Sequence, residues 1–433
     1  MMSNVKGTVD YYGVEQAQRS RMIRQMEELF TLYDYEAIET TILNEMELLT
    51  AKYSGGDEIV QEMYTLRDRG QRELGLRYDL TVPFSKLVAA YAGLPMPFRR
   101  YEFGKVFRDG PVKRGRLREF TQCDVDVVGI QGPEAEAELL SLAARVYETL
   151  GIPVVLRWNN RRFLAEWLAA AGIPEELGQT VMLTLDKIAK LGLDAVRAEL
   201  IDKGVTYSAA DTVLHAIMAD EQKEPVAAFE RLCTTFGISD LPGAGEVRAL
   251  MGLLDAIGLS PVCRFDPSLS RGLSFYTGTV YEAFDASGSY LSSLGGGGRY
   301  DAIIGQLAGN PAVLYPTVGF SFGLEPIMAL ARERLVPIEA APVVVIPIGG
   351  MVAEAMRTAE AIRACGIRTR LSPVGRKVGK ALASAASAGS RFAILIGEDE
   401  TKLGKVQLRD MEARIEETLA LEEAIYRIER VLL

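Results

Sequence analysis

One histidine in 433 residues, His215, leaves this chain nearly without the commonest proton-transfer side chain. It lies in SAADTVLHAIM, whose spacing predicts a helix, and an ordinary helical position is the expectation there. Chemistry built on a histidine base is thereby disfavoured. Cysteine is equally sparse: Cys123, Cys233, Cys263 and Cys365 are far apart and form no CxxC or Cys/His cluster, which argues against structural zinc and a disulfide framework. No apolar run reaches the ~18 residues of a membrane span, and the opening MMSNVKGTVDYYG has no apolar core of signal-peptide length, so the expectation is a cytoplasmic protein with no membrane association. Excess basic charge is missing too. With a net charge of −10, the surface as a whole is no polyanion binder, and any nucleic-acid contact must come from local basic patches. What remains is a globular composition, 48% hydrophobic and 24% charged, in a chain long enough for two or three domains.

Residues 14–33 carry apolar positions at helical spacing, and 35–40 reads as a short strand. Strand signals recur at 74–78, 98–108 and 117–128, and a helix is expected over 133–150, with Pro133 in its first turn. Antiparallel strands with flanking helices predict an α+β fold. From 161 to 258 the pattern is almost entirely helical, around 161–172, 184–200, 208–219 and 244–257, which reads as a helical insertion. Strand and glycine signals return at 271–300 and 317–323, so the first domain is expected to comprise 1–160 and 259–335. Residues 336–342 (VPIEAAP) read as a linker, and strand and helix alternate through 343–433, predicting a separate α/β domain with a largely parallel sheet.

The stretch Arg118–Val128 places polar groups where a strand should be apolar. At period two, Arg118, Phe120, Gln122, Asp124 and Asp126 share one face, and Cys123, Val125 and Val127 the other. The first face reads as a site and the second as core. Upstream, DGPVKRGR (109–116) is an exposed turn, making a hairpin with a cationic tip. Carboxylates and an amide beside arginines suit a zwitterionic ligand together with a polyphosphate, since guanidinium forks match phosphate oxygens and carboxylates capture ammonium or imidazolium. A solvated sheet face with surface ion pairs is the bland alternative for this segment taken alone. LRYDLTVP (76–83) ends a strand and enters a helix, with Asp79 beside the helix start, where a capping role competes with a binding one. RGLSFYTG (271–278) sets a fixed cation before a strand, and Gly295–Gly298, followed by Arg299-Tyr300-Asp301, permits close backbone approach to a ligand, as it would equally permit a mobile loop.

Taken together with KGTVDYYG at the N-terminus, VGFSFGLE, VVVIPIG, GRKVGKAL and IGEDE, these segments resemble the histidyl-tRNA synthetases, class II aminoacyl-tRNA synthetases, over nearly the whole length. The resemblance implies a six- or seven-stranded antiparallel catalytic sheet, an insertion meeting the tRNA acceptor stem, an anticodon-binding α/β domain, and a homodimer joined near residues 30–45. It implies L-histidine, ATP with Mg2+, and tRNA(His) as partners. Carried over by position, Asp79, Thr81 and Gln122 hold the α-ammonium, while Asp126 with Phe275 and Tyr276 forms the imidazole pocket. Arg271 and Arg108 serve the reacting carboxylate and α-phosphate as catalytic cations; Arg116, Glu119 and Glu325 contact ATP, with Glu325 a possible Mg2+ ligand. Arg376, Lys377 and Lys380 are candidates for tRNA phosphates.

Three positions depart from the family pattern. Threonine stands at Glu39-Thr40-Thr41-Ile42 where a proline is usual, Pro326 follows Glu325 where an arginine is usual, and Ser274-Phe275 replaces an Asp-Tyr pair. These keep open a paralogue without catalysis, the histidine-sensing regulatory subunit of ATP phosphoribosyltransferase. A general nucleotide-binding module would explain the arginines but leave QCDVD and Tyr276 without a role.

Overall fold

The computed structural model describes residues 3–51, 58–91, 93–219, 224–270, 275–331 and 341–432. They divide into two compact units, 1–335 and 336–433.

The first unit is built on an eight-stranded sheet: β1 (Glu36–Ala37), β2 (Phe98–Phe107), β3 (Glu119–Val128), β4 (Val154–Asn160), β5 (Cys263–Phe265), β6 (Thr279–Asp285), β7 (Gly295–Arg299) and β8 (Thr317–Gly323). Their spatial order is β1-β2-β3-β8-β7-β6-β4-β5. All neighbours are antiparallel except β1 with β2 and β4 with β5. The sheet therefore exceeds the expected six or seven strands, because two very short parallel strands cap its edges. The β2–β3 hairpin runs in unbroken register from Phe98 opposite Val128 to Phe107 opposite Glu119.

One face of the sheet is apolar and covered by α1 (Gly13–Leu32) and α3 (Glu134–Thr149), with α2 (Thr81–Ala90) lying between them in the chain. Helix α1 buries Met22, Met26 and Phe30 at i, i+4, i+8. The Phe30 ring packs 5.4 Å from Tyr101, 5.7 Å from Phe103 and 5.9 Å from Phe322, so one helix side chain ties together three sheet residues. Such a buried ring contributes roughly 1.5–3 kcal/mol. Cys123, Val125 and Val127 face this core, as their alternation requires.

Glycines 295–298 form a central strand and no loop. A Cβ on Gly297 would sit 1.9 Å from the Gly319 carbonyl, and one on Gly319 would sit 1.7 Å from Asp126 Oδ1. The glycines are there for lack of room, which composition alone does not distinguish from mobility.

Strand β4 has no turn residue before the helix Arg161–Ala170 and merges with it in sequence; Asn160 ends the strand and caps the helix, accepting from Arg162 N at 2.9 Å and Phe163 N at 3.0 Å. Further helices follow at Glu175–Leu185, Leu193–Asp202, Tyr207–Met218, Pro225–Phe236 and Pro242–Ala256. The helix expected over 184–200 is broken, with Gly192 at φ +80°. His215 is exposed on Tyr207–Met218, with its Nδ1 3.0 Å from Asp211.

The second unit has strands β9 (Val343–Pro347), β10 (Thr369–Leu371), β11 (Phe392–Ile396), β12 (Lys405–Asp410) and β13 (Ile415–Ala420), ordered β10-β9-β11-β12-β13. The first three are parallel and the last two antiparallel. β9 and β11 are buried along their entire length, as continuous apolar runs covered on both faces should be. Of the expected linker, residues 336–340 lie outside the described set. No described helix is long and apolar enough to cross a membrane.

Candidate active site

The face of the sheet opposite α1 carries a buried polar network. Hairpin register sets Arg100 across from Asp126 and Glu102 across from Asp124. Arg100 is fully buried; its Nη2 lies 2.6 Å from Asp126 Oδ2 and its guanidinium rests 4.3 Å over the Phe84 ring of α2. Arg77 Nη1 reaches Glu102 Oε1 at 2.8 Å. From the end of β7, the Tyr300 hydroxyl donates a short hydrogen bond to Asp126 Oδ1. Burial pushes the Asp126 carboxyl above its ordinary value while Arg100 and Tyr300 pull it back, and Tyr300 is itself raised by burial and by Asp126. Asp124, buried beside them, is pushed up to about 7.

Several residues singled out in the sequence converge here. Asp79 is buried, accepts from Val82 N at 3.1 Å in the first turn of α2, and is close enough to raise both Asp124 and Asp126 electrostatically. The capping reading thus holds, at a position beside the buried carboxylates. Thr81 opens α2. Gln122 Nε2 donates to Ser321 Oγ at 2.9 Å and leaves a buried Oε1 without a partner. Arg108 shares the face, with Nε on the Tyr78 carbonyl at 3.0 Å and its guanidinium 5.2 Å from the Phe120 ring. Phe275 packs 4.4 Å from Tyr276 and edge-on to Tyr300 at 6.1 Å, which brings that pair to the Asp126 end.

Other residues are not brought together with these. Glu119 projects to the α1 face, 3.0 Å from Lys105. Glu325, at the start of α4 (Leu324–Ala331), accepts from Thr121 N at 2.9 Å and pairs with Arg19 of α1 at 2.7 Å, both side chains buried. Arg116 lies on the hairpin loop and pairs with Glu62 at 3.0 Å. Arg271 lies outside the described residues.

Sequence reasoning missed Arg100, Tyr300, Ser321 and Arg19. For Arg100 the signal was available: in a hairpin whose register puts 98 opposite 128, position 100 must face 126. Tyr300 sat in the GGGGRYD segment, but nothing local says that its hydroxyl reaches across the sheet to Asp126.

A family model for histidyl-tRNA synthetase matches residues 7–327, and one for an anticodon binding domain matches 342–430. The chain belongs to the histidyl-tRNA synthetase family. It is 44% identical to Histidine--tRNA ligase 1 of Bacillus thuringiensis over 95% of this chain and 96% of that one, and 41% identical to Histidine--tRNA ligase 2 of Shouchella clausii over 96% and 97%. The crystal structure of histidyl-tRNA synthetase from Nostoc sp. PCC 7120 superposes with a TM-score of 0.83 at 25% identity, covering 99% of both chains.

Within this synthetase family, one departure acquires a physical account, whereas the contacts of Pro326 do not explain proline over arginine there. At the Thr40-Thr41 departure the Thr40 N–H and hydroxyl contact Glu102 Oε1 at 2.9 Å, Arg77 Nη1 donates to the Thr40 carbonyl at 2.8 Å, and the Thr41 hydroxyl donates to Asn44 Oδ1 at 2.8 Å; a proline at either position could make neither hydroxyl bond. Pro326 lies beneath the hairpin loop. Gly115 has φ +73°, and a Cβ there would come 3.3 Å from Pro326 Cα. Arg114 Nη2 reaches the Ala329 carbonyl of α4 at 3.3 Å, so the loop rests on that helix.

Proposed function

We propose that this chain is a histidine–tRNA ligase, which joins L-histidine to ATP as a histidyl-adenylate, releasing pyrophosphate, and then transfers the histidyl group to tRNA(His), releasing AMP. The observation that carries this reading is the buried acceptor face Gln122–Asp124–Asp126, backed by Arg100 and Tyr300 and flanked by Arg108. A cationic amino acid with a hydrogen-bonding ring suits such a face. An apolar side chain would leave its groups unpaired, a penalty large enough to discriminate without editing.

On this reading Asp79, Thr81 and Gln122 take the ammonium, and Asp126 with Phe275 and Tyr276 takes the imidazole. The histidine carboxylate attacks the α-phosphorus in line, so two anions must be drawn together; Arg108 and Arg271 supply charge that does not titrate, and Arg116 serves the triphosphate. Mg2+ bound with ATP would supply neutralisation of the phosphate charge beside Arg108 and Arg116. Glu119 and Glu325 we assign instead to holding the hairpin and α4 in place, because each pairs with a cation on the α1 face of the sheet, away from Asp124 and Asp126. The catalytic domain is 1–160 with 259–335; the insertion 161–258 meets the acceptor stem. Beyond the linker 336–342, domain 343–433 meets the anticodon, with Arg376, Lys377 and Lys380 facing phosphates. Exposed Ile42, Leu43 and Leu66 support a homodimer joined near the first strands, and the setting is the cytoplasm.

The test is ATP–pyrophosphate exchange with purified protein, comparing histidine, the other amino acids and none. Exchange with histidine alone is expected. No exchange with tight histidine binding would transfer the assignment to a histidine-sensing regulatory subunit of ATP phosphoribosyltransferase, the reading that Pro326 favours.

A further inference from the structure

Asp124 lies between the two ends of the proposed histidine site and has no part in the roles assigned so far. Gln122, Asp124 and Asp126 project from one face of β3, and at ~3.3 Å rise per residue each is about 7 Å from the next. The span from ammonium to imidazole in a histidine fits over that row. Asp126 Oδ1 accepts from Tyr300, and its Oδ2 lies 2.6 Å from Arg100 Nη2, charge-paired although without a hydrogen bond of good geometry. Asp124 is only 4% exposed, and its Oδ1 is fully enclosed with no hydrogen-bond partner among the described residues. Two residues away, Gln122 Oε1 is in the same state. Ser321, opposite Asp124 in the register, accepts from Gln122 Nε2 at 2.9 Å. Burying an acceptor without a donor costs about 1–3 kcal/mol, so two such acceptors side by side on a ligand-sized row are a preformed half of a contact.

We propose that Asp124 is a specificity-determining residue, whose unpartnered Oδ1 accepts a hydrogen bond from an N–H of the bound histidine between the ends held by Gln122 and Asp126. The inference rests on the histidine-ligase reading. Among the described residues, the charged and titratable groups around Asp124 are Arg100 and Glu102 on β2, Asp126 on β3, Asp79 before α2 and Tyr300 after β7. Among the described residues Arg100 is the cation acting on it, and Asp126 already forms the direct ion pair with that guanidinium. Without ligand, Asp124 therefore holds a proton for an appreciable fraction of the time near neutral pH, and a donor arriving at Oδ1 displaces it. Histidine binding by the intact enzyme then releases protons that a variant lacking this carboxyl does not release.

The experiment measures histidine KM, ATP KM and kcat in pyrophosphate exchange for the wild type, Asp124→Asn and Asp124→Ala. Calorimetry of histidine binding at pH 7, in buffers of different ionisation enthalpy, counts protons for the wild type and Asp124→Asn. Expected is a rise in histidine KM of about tenfold for Asn and more for Ala, with ATP KM unchanged. The wild type should release a larger fraction of a proton than Asp124→Asn. Unchanged histidine KM, an equal proton count, or an equal rise in both KM values would overturn the proposal. Should the alanine variant fail to fold, the isosteric asparagine decides alone. Wild-type exchange in the same assay separates this outcome from failure of the ligase reading itself.

Discussion

Tyr300 and Arg100 converge on a single carboxylate, so the chemistry of Asp126 depends on residues 174 and 26 positions away. Tyr300→Phe removes one donor and keeps the ring against Phe275. Hydrogen bonds to charged groups are worth about 1.5–3 kcal/mol, and a loss of that size in urea denaturation is expected, with weaker histidine binding and unchanged ATP KM. Full stability would mean that Arg100 alone satisfies Asp126. On the far face, Arg19→Ala leaves Glu325 buried and uncompensated; breaking such a pair costs about 3–5 kcal/mol, which a denaturant midpoint will register. Asp124 adds a pH signature. Its carboxyl is raised from an ordinary 3.8 to about 7, so the folded state favours the protonated form; the associated stability is full below the ordinary value and is lost as pH rises through 7. Asp124→Asn should therefore raise the melting temperature at pH 8, with the gain shrinking toward pH 4. A gain independent of pH would show that the carboxyl does not titrate in this range.

Elements that repeat at a clean period were legible in the sequence. The β2–β3 hairpin, α1 and α3 follow from alternation and helical spacing, β9 and β11 from continuous apolar runs, and the hairpin carries with it the face of Gln122, Asp124 and Asp126; β13 was not expected, and the second sheet is half antiparallel where a largely parallel one was expected. Strand β4 was not, because VVLRWNN runs into a helix with no turn residue between them. The glycine strand was legible only as glycine, since the reason for it is the Gly319 carbonyl on a neighbouring strand. The N-terminal KGTVDYYG had a motif but no stated job. In the structure the Gly7 carbonyl accepts from Arg118 N at 2.8 Å and Glu119 N at 3.3 Å, at the base of the hairpin loop. Gly7 has φ +88°, and a Cβ there would lie 2.8 Å from Arg118 Cγ and from Val112 Cγ2. Gly7→Ala should loosen the loop and raise ATP KM severalfold while leaving histidine KM and the melting temperature nearly unchanged. Equal effects on both substrates would locate the damage in the sheet instead.

At the scale of the whole molecule, each unit has its own buried apolar core: Phe30, Val125, Trp158 and Phe320 belong to the first, and Val343, Ile394 and Ile428 to the second. Every described residue of the proposed histidine and ATP sites lies in the first unit, and the Arg100–Asp126–Tyr300 network closes within it. The sheet that orients those groups draws no strand from beyond residue 323. Adenylate formation needs only histidine and ATP, whereas transfer needs the tRNA held by whatever part of the chain recognises it. A fragment ending at residue 335 should therefore fold with a cooperative melt and retain histidine-dependent pyrophosphate exchange within a few fold of the full chain. Its charging of tRNA(His) should fall by orders of magnitude, mostly through KM for tRNA. If the folded fragment lost exchange, the active site would depend on the second unit; if it charged tRNA normally, the anticodon role assigned to 343–433 would fail.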